Sequence, residues 1–442
     1  MTGSHTDLYE IRMAASYLRR GMTQPATFSL FARRLPPERG FLVAAGLADC
    51  LDFLETFSFD ESELDYLRTS AGLVDRDREA LARLRFTGDV MAVPEGRVVL
   101  ADEPLLEITA PLPEAQLVET AMLNFVTSAT AVATKAARCR IAAGNARLID
   151  FGARRTHGRD AAFTAARVSA IAGFDATSHV AAAQRYGLTT AGTMAHSYVQ
   201  AFPRESDAFR AFAEDFPADP IFLVDTYDTV GGIRAAVEVA EGLGIPDRHL
   251  GVRLDSGDLG ALAGTARVML DRAGLTKARI VASGGLDEYE LSRLTAAKAP
   301  IDAYGVGTKM GVSADAPSLD TAYKLVEYAQ RPVLKLSEGK ATAPGAKQVH
   351  RGAVDLLALR TEPAPDDTET LLYPVMRAGR RLDGPDTIDA ARQRCRRDLA
   401  RLPSAALTIS APRPPTVVRS ARLLSLTERL TQDAARVIAG PR

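Results

Sequence analysis

Between Arg147 and Lys309 the chain repeats one pattern six times. A short strand-forming run ends in small or polar residues, and helical sequence follows. The runs are Arg147-Leu-Ile-Asp-Phe-Gly152, Leu188-Thr-Thr-Ala191, Ile221-Phe-Leu-Val-Asp225, Leu250-Gly-Val-Arg-Leu-Asp255, Ala278-Arg-Ile-Val-Ala-Ser283 and Ala303-Tyr-Gly-Val-Gly-Thr308. Strands alternating with helices fold as βα units around a parallel sheet. The spacing suits a barrel and an open doubly wound sheet equally well. Ahead of the series, Met122, Phe125, Val126, Ala129, Val132, Ala133 and Ala136 recur at helical spacing, which predicts a long amphipathic helix ending near Gly144.

The flanks lack this rhythm. Before residue 118, Leu8 to Leu18 and Phe41 to Phe57 have helical spacing, whereas Phe28-Ser-Leu-Phe-Ala, Val98-Val-Leu and Leu105-Leu-Glu-Ile are strand-like, an α+β mixture. Beyond residue 322, Tyr323–Tyr328 and Pro332–Leu336 suggest a hairpin turning at Gln330-Arg331. A Pro/Gly/Thr-rich stretch from about 341 to 370 reads as loops, and an arginine-rich tail as helix. The expected division is therefore an N-terminal α+β domain (1–118), an α/β catalytic barrel (119–322), and a C-terminal region (323–442) packing on the first domain.

Composition narrows the function. Lys and Arg number 54 against 55 Asp and Glu, a net charge of −1, which argues against a nucleic-acid-coating surface. Cys50, Cys139 and Cys395 are widely spaced with no CxxC pair, so neither a disulfide framework nor a zinc site is expected. No apolar run approaches the roughly 20 residues that span a bilayer, and no signal-like core opens the chain. A soluble, cytoplasmic protein is the expectation.

In a parallel α/β sheet the six run ends converge on one face. There they would gather Arg154 and Arg155, Thr193 and His196, Asp225 and Asp228, Arg253, Asp255 and Asp258, Ser283-Gly284-Gly285, and Gly307-Thr308-Lys309. Glycine turns at helix starts offer backbone N–H groups to anions. Carboxylates beside them can hold Mg²⁺, which binds phosphate oxygens in turn. Arginine grips a carboxylate or phosphate with two parallel hydrogen bonds. These residues point to an enzyme acting on a phosphorylated, pyrophosphorylated substrate with a metal.

Several of the same segments, in this order and spacing, resemble nicotinate phosphoribosyltransferases. They are Thr6-Asp-Leu-Tyr9, Asp150-Phe-Gly-Ala-Arg154-Arg155, Gly173-Phe-Asp-Ala-Thr-Ser178, Gly192-Thr-Met-Ala-His196-Ser197, Val252-Arg-Leu-Asp-Ser-Gly-Asp-Leu259 and Gly305-Val-Gly-Thr308. The resemblance runs from Thr6 to about Leu336. It implies a type II phosphoribosyltransferase: an irregular βα barrel with a second α+β domain built from the N-terminal region and part of the C-terminal region. It also implies a homodimer with shared active sites, ATP as co-substrate, Mg²⁺, and a place in NAD salvage.

Carried onto matching positions, the resemblance makes His196 the histidine that ATP phosphorylates, catalytic together with Asp225 and Asp255. The two aspartates would hold the ribose hydroxyls or Mg²⁺ of 5-phosphoribosyl 1-diphosphate. Nicotinate would be bound by Tyr9 from the partner subunit, Phe151, Arg154, Thr193 and Arg253, with Arg155 in a structural salt bridge. Ser283, Gly284, Gly285, Gly307 and Thr308 would cradle the phosphates. Asp225 and Asp255 could instead cap helices, although Asp258, just before Leu259, is better placed for capping. The other five histidines read as structural. Three rival readings share parts of this pattern: a nicotinamide-using relative, in which Asp175 would accept hydrogen bonds from the carboxamide; a quinolinate-using enzyme; and a catalytically silent paralogue that binds pyridines or nucleotides.

Overall fold

The computed structural model describes residues 3–337, 342–382, 384 and 386–439. The chain forms two compact units, Val132–Pro317 and a second made of Met1–Ala131 with Ser318–Arg442.

The Val132–Pro317 unit contains six parallel strands: β1 (Arg147–Asp150), β2 (Ala176–Thr177), β3 (Ile221–Leu223), β4 (Gly251–Leu254), β5 (Arg279–Ser283) and β6 (Ala303–Val306). Their order is β2-β1-β6-β5-β4-β3. Leu188–Ala191, expected as a full strand, makes a single parallel bridge from Thr190 to Thr177, and the two-residue β2 takes the expected place. Ile149, Ala176, Val281 and Ala303 form one buried cluster. Ala191 beyond one edge of the ladder and Ile221 on the opposite edge strand both pack against it. Residues from both ends of the ladder meeting on one core means the sheet curls on itself. Among the described residues no strand pairing joins those ends, so the barrel is irregular, with an open seam.

Helices follow the strands, and their caps explain where they start. Asp228 accepts from Gly231 N at 2.6 Å and opens the helix Thr229–Leu243. Asp258 accepts from Gly260 N and Ala261 N at 3.1 and 3.2 Å and opens Leu259–Arg272. Asp287 does the same for Glu288–Ala296. Gly232 lets the first of these helices lie close to its own strand, since a Cβ there would stand 2.1 Å from Val224 O. Ile233, Ala236, Val239 and Ala240 form its buried face.

The other unit interleaves the two ends of the chain. Its seven-stranded sheet runs Arg331–Pro332, Thr321–Tyr328, Pro25–Ala32, Pro104–Pro111, Asp89–Ala92, Tyr373–Arg377, Arg380–Arg381, with antiparallel pairing throughout. The hairpin after Tyr328 turns one residue earlier than the sequence suggests: Ala329 and Gln330 both have positive φ, 49° and 62°, and Arg331 already pairs with Tyr328. That is the backbone of the tight turn whose twist matches its strands. The segment 41–57 is divided between a strand, Leu42–Val43, and a helix, Leu47–Thr56. The stretch read as loops holds three paired strands, Lys347–Arg351, Asp355–Leu359 and Glu369–Thr370, within a four-stranded sheet; residue 341, at its start, lies outside the described residues. Its strands escaped the apolar pattern because Lys347, Gln348 and His350 are buried there. The Lys347 ammonium is paired with Glu107 at 3.3 Å. Cys50, Cys139 and Cys395 are buried and unpaired, and burial pushes the Cys395 thiol up to about 12. No described helix is long and apolar enough to cross a membrane.

Candidate active site at the strand ends

The carboxyl ends of β3, β4 and β5 are joined side by side through two aspartates. Asp225, just past β3, accepts from Asp255 N at 3.1 Å and from Ser256 Oγ at 2.5 Å. Asp255, just past β4, accepts from Ser283 Oγ at the end of β5. Capping falls to Asp228 and Asp258, three residues further along each turn. Asp225 and Asp255 are thus free of helix duty. Asp225 Oδ1 is buried with no hydrogen-bond partner.

His196 opens the helix His196–Gln200. Its Nδ1 lies 3.1 Å from Thr226 Oγ1 and its Nε2 3.9 Å from Asp255 Oδ2. The imidazole is therefore held at one nitrogen and faces a carboxylate with the other, a setting for a nucleophile or a proton carrier.

Arg253, in β4, is the partly buried cation of the group. Its Nη1 donates to Thr193 Oγ1 and, at 3.2 Å, to Met194 O; its Nη2 lies 3.7 Å from Asp255 Oδ1. The guanidinium carbon stands 5.9 Å from the centre of the Phe151 ring. Burial holds Arg253 below the usual guanidinium range despite the pull of Asp255 and Asp225, and the Arg154 charge pushes the same way as burial. Its Nε is buried without a partner. Arg154 itself is exposed. Arg155, expected in a salt bridge, makes no ion pair among the described residues.

The glycine turns have steric reasons. Gly284 has φ +93°, and a Cβ on it would stand 2.0 Å from Asp255 O. At Gly307 a Cβ would meet Phe151 O at 2.8 Å. Gly285 follows Gly284 at φ +66°, and Thr308 begins the short helix Thr308–Gly311. Lys309, next to Thr308, pairs with Asp287 at 2.8 Å, tying the turn after β6 to the turn after β5.

Tyr9 belongs to the Met1–Ala131 and Ser318–Arg442 unit, on helix Leu8–Arg19, and is 47% exposed. Burial of its other half, with Glu119 and Glu10, raises its phenol. Asp175 precedes β2 at the amino-terminal end of the strands. There its carboxylate accepts from Leu148 N at 2.9 Å and pairs with Arg140 at 3.6 Å. The nicotinamide reading asks this carboxylate to accept hydrogen bonds from a carboxamide; in the structure it is engaged with Leu148 and Arg140.

The structure also adds residues that the sequence reading passed over. Glu205 opens the helix Glu205–Asp215; its carboxyl is pushed up to about 7 by burial and by Asp225 and Asp228, and its Oε1 is buried without a partner. Thr226 and Ser256, each directly after a site aspartate, supply the hydroxyls that bind His196 and Asp225. Ser256 lies inside a quoted motif and Thr226 directly follows the run Ile221–Asp225, and that position is the signal that could have found them.

A barrel of parallel strands with carboxylates, an arginine and glycine turns at its carboxyl ends defines a phosphoribosyltransferase-like α/β enzyme architecture. Residues 5–127 match the profile of the nicotinate phosphoribosyltransferase N-terminal domain, and residues 146–355 that of the nicotinate phosphoribosyltransferase family. A Mycobacterium tuberculosis nicotinate phosphoribosyltransferase is 48% identical over 405 residues, covering 90% of this chain and 87% of the relative. The Bacillus subtilis one is 45% identical, covering 78% and 72%. The crystal structure of human nicotinic acid phosphoribosyltransferase superposes with a TM-score of 0.84 at 30% identity, covering 96% of this chain and 99% of that one. The chain belongs to the nicotinate phosphoribosyltransferase family.

Proposed function

We propose that this protein is a cytoplasmic, ATP-coupled nicotinate phosphoribosyltransferase of NAD salvage. It would convert nicotinate, 5-phosphoribosyl 1-diphosphate, ATP and water to nicotinate mononucleotide, diphosphate, ADP and phosphate. The observation that carries this reading is the group formed by Arg253, Thr193, Phe151, His196, Asp225 and Asp255 at one set of strand ends.

Each part of the group has a task. Arg253 meets the nicotinate carboxylate, and its desolvated guanidinium gains most from an anionic ligand. Phe151 offers a ring face to the pyridine. In the working dimer the partner's Tyr9 covers the opposite face, and Arg154 adds positive potential. The ring nitrogen is a nucleophile without a base. It attacks the anomeric carbon, and the C–O bond to diphosphate breaks with its electron pair leaving on diphosphate. Asp225 and Asp255 stabilise the positive charge that develops on the ribose. Amides of the Ser283-Gly284-Gly285 and Gly307-Thr308 turns receive the phosphates.

Mg²⁺ fits Asp225 and Asp255. Asp225 Oδ1 is an unsatisfied buried oxygen, and no group of three or more His, Cys, Asp or Glu among the described residues could hold an ion by itself. Such a pair suits a cation that takes the rest of its sphere from substrate phosphates and water. When bound, it would neutralise charge on the departing diphosphate.

In the ATP step, Thr226 accepts from the Nδ1–H of His196, which leaves the Nε2 lone pair to attack the γ-phosphorus as ADP departs. Asp255 stabilises the ring cation that results. Hydrolysis of the P–N bond returns the free imidazole and releases phosphate.

Nicotinamide is disfavoured because Asp175 is committed to Leu148 and Arg140, while Arg253 favours a carboxylate. The test uses γ-labelled ATP. Label should appear on the wild-type protein and be absent from His196→Ala, which should still form nicotinate mononucleotide slowly but without hydrolysing ATP. Label retained in the variant refutes the role of His196. A folded wild type that turns over neither pyridine establishes the silent paralogue.

A further inference from the structure

Asp150 ends β1 and is 1% exposed, yet none of the chemistry above uses it. A carboxylate so deeply buried must find donors for its oxygens. Asp150 finds them on two different segments. Gly152 N donates to Oδ1 at 2.7 Å, and Thr177 Oγ1, at the end of β2, donates to Oδ2 at 2.7 Å. Thr177 Oγ1 in turn accepts from His179 N at 3.1 Å, so its one hydroxyl proton is left for Asp150. The backbone repeats the tie, because Ser178 N donates to Asp150 O at 2.8 Å.

Phe151 lies in the chain between Asp150 and Gly152, whose amide this carboxylate holds. Its N donates to Val306 O at 2.9 Å in β6. Its ring fills the space over Gly305, where a Cβ would come within 2.4 Å of Cδ2 and Cε2. Ring and backbone are thus fixed on the β6 side; the turn after Phe151 is tied back to β1 by the bond from Gly152 to Asp150, and Arg155 N and Thr156 N close it on Gly152 O at 2.8 and 3.1 Å. Gly152 is itself confined, since a Cβ there would stand 3.0 Å from Asp150 Oδ1. Burial raises the Asp150 carboxyl, and the hydrogen bonds from Thr177 and Gly152 oppose that rise.

We infer that Asp150 is a positioning residue: through Gly152 and Thr177 its carboxylate holds the Phe151 ring beside the Arg253 guanidinium. The inference rests on the reading that Phe151 and Arg253 bind nicotinate. It assigns the buried pair Asp150–Thr177 to the pyridine end of the site.

The variants are Thr177→Val, which keeps the volume and removes the donor, Thr177→Ser, which keeps the donor, and Asp150→Asn. Thr177→Val should raise the KM for nicotinate about tenfold, the scale of one lost buried hydrogen bond. Its kcat and its KM for 5-phosphoribosyl 1-diphosphate should stay within about twofold, and Thr177→Ser should restore the nicotinate KM. Asp150→Asn should act in the same direction, because an amide has one accepting oxygen where two donors, Gly152 N and Thr177 Oγ1, each need one. A folded Thr177→Val protein with an unchanged nicotinate KM, or with both KM values raised alike, overturns the inference. Fluorine NMR of 4-fluorophenylalanine placed at 151 keeps this separate from the functional reading: the resonance should broaden or shift in Thr177→Val. An unchanged resonance overturns the positioning role, whereas a wild type that fails to turn over nicotinate counts against the function alone.

Discussion

Gly284→Ala isolates what the turn after β5 contributes. An alanine at φ +93° carries left-handed strain of roughly 1–2 kcal/mol. Its Cβ would also lie 2.0 Å from Asp255 O, about 1.5 Å short of ordinary contact. Backbone meets backbone here, so no side-chain rotation relieves the clash, and either the turn or the end of β4 must move. Asp255 links most of the site: its N donates to Asp225, its Oδ1 accepts from Ser283, and its Oδ2 lies 3.9 Å from His196 Nε2. Displacing a catalytic group by about 1 Å costs on the order of 10²-fold in rate, or about 2.7 kcal/mol. The control is Gly274→Ala, with φ +75° and nothing within 4 Å of its Cβ, in the turn after helix Leu259–Arg272. Both variants should lose stability through strain, but only Gly284→Ala should lose about 10²-fold in kcat/KM for the phosphoribosyl donor. Thermal melts and steady-state kinetics on the two proteins decide the matter. Full activity in Gly284→Ala, or an equal loss in Gly274→Ala, refutes the reasoning.

Two further outcomes follow from buried groups. Arg253→Lys keeps the charge but loses the fork that can meet Thr193 and a carboxylate together; the KM for nicotinate should rise about 10- to 100-fold, the scale of one charge-assisted hydrogen bond, with little change for 5-phosphoribosyl 1-diphosphate. His350 is 2% exposed, has no partner on either ring nitrogen, and is held below its ordinary 6.5 by burial. The unfolded chain takes up that proton before the folded one does, so this contribution to stability is full above pH 6.5 and is lost as pH falls toward the depressed value. Denaturant titrations of wild type and His350→Leu between pH 7.5 and 5 should show the wild type losing more stability, and parallel losses would exclude His350 as the cause.

The sequence disclosed the parts of this fold that repeat. Short apolar-rich runs that end in small or polar residues identified β1, β3, β4, β5 and β6, and the long helix Glu119–Ala143 followed its own periodicity. It concealed β2, because two residues carry no period, and it concealed Lys347–Arg351, where buried polar groups break the alternation. The site divides in the same way. Residues at the ends of runs, such as His196, Asp225, Arg253 and Asp255, could be read directly. Glu205 and Thr177 could not, since what marks them is a buried oxygen or a hydroxyl partner about 20 to 30 residues away, and linear spacing holds no trace of that.

One device at the site occurs twice in neighbouring strands. Asp225-Thr-Tyr-Asp228 and Asp255-Ser-Gly-Asp258 each follow a strand and precede a helix. In each, the first aspartate faces the strand-end group, the next residue supplies a hydroxyl, and the last aspartate caps the helix. Position within the turn thus separates the aspartates proposed to act on substrate from those that cap helices, although their chemistry is identical. Removing a cap costs about 1 kcal/mol, so Asp228→Ala and Asp258→Ala should each lower Tm by about 2–4 °C while kcat/KM holds within a few-fold. Asp225→Ala and Asp255→Ala should melt near wild type yet lose about 10²- to 10³-fold in kcat/KM, the scale of one preorganised electrostatic partner. If Asp228→Ala proves as inactive as Asp225→Ala, the capping aspartate also touches substrate, and the division of labour within each turn is wrong.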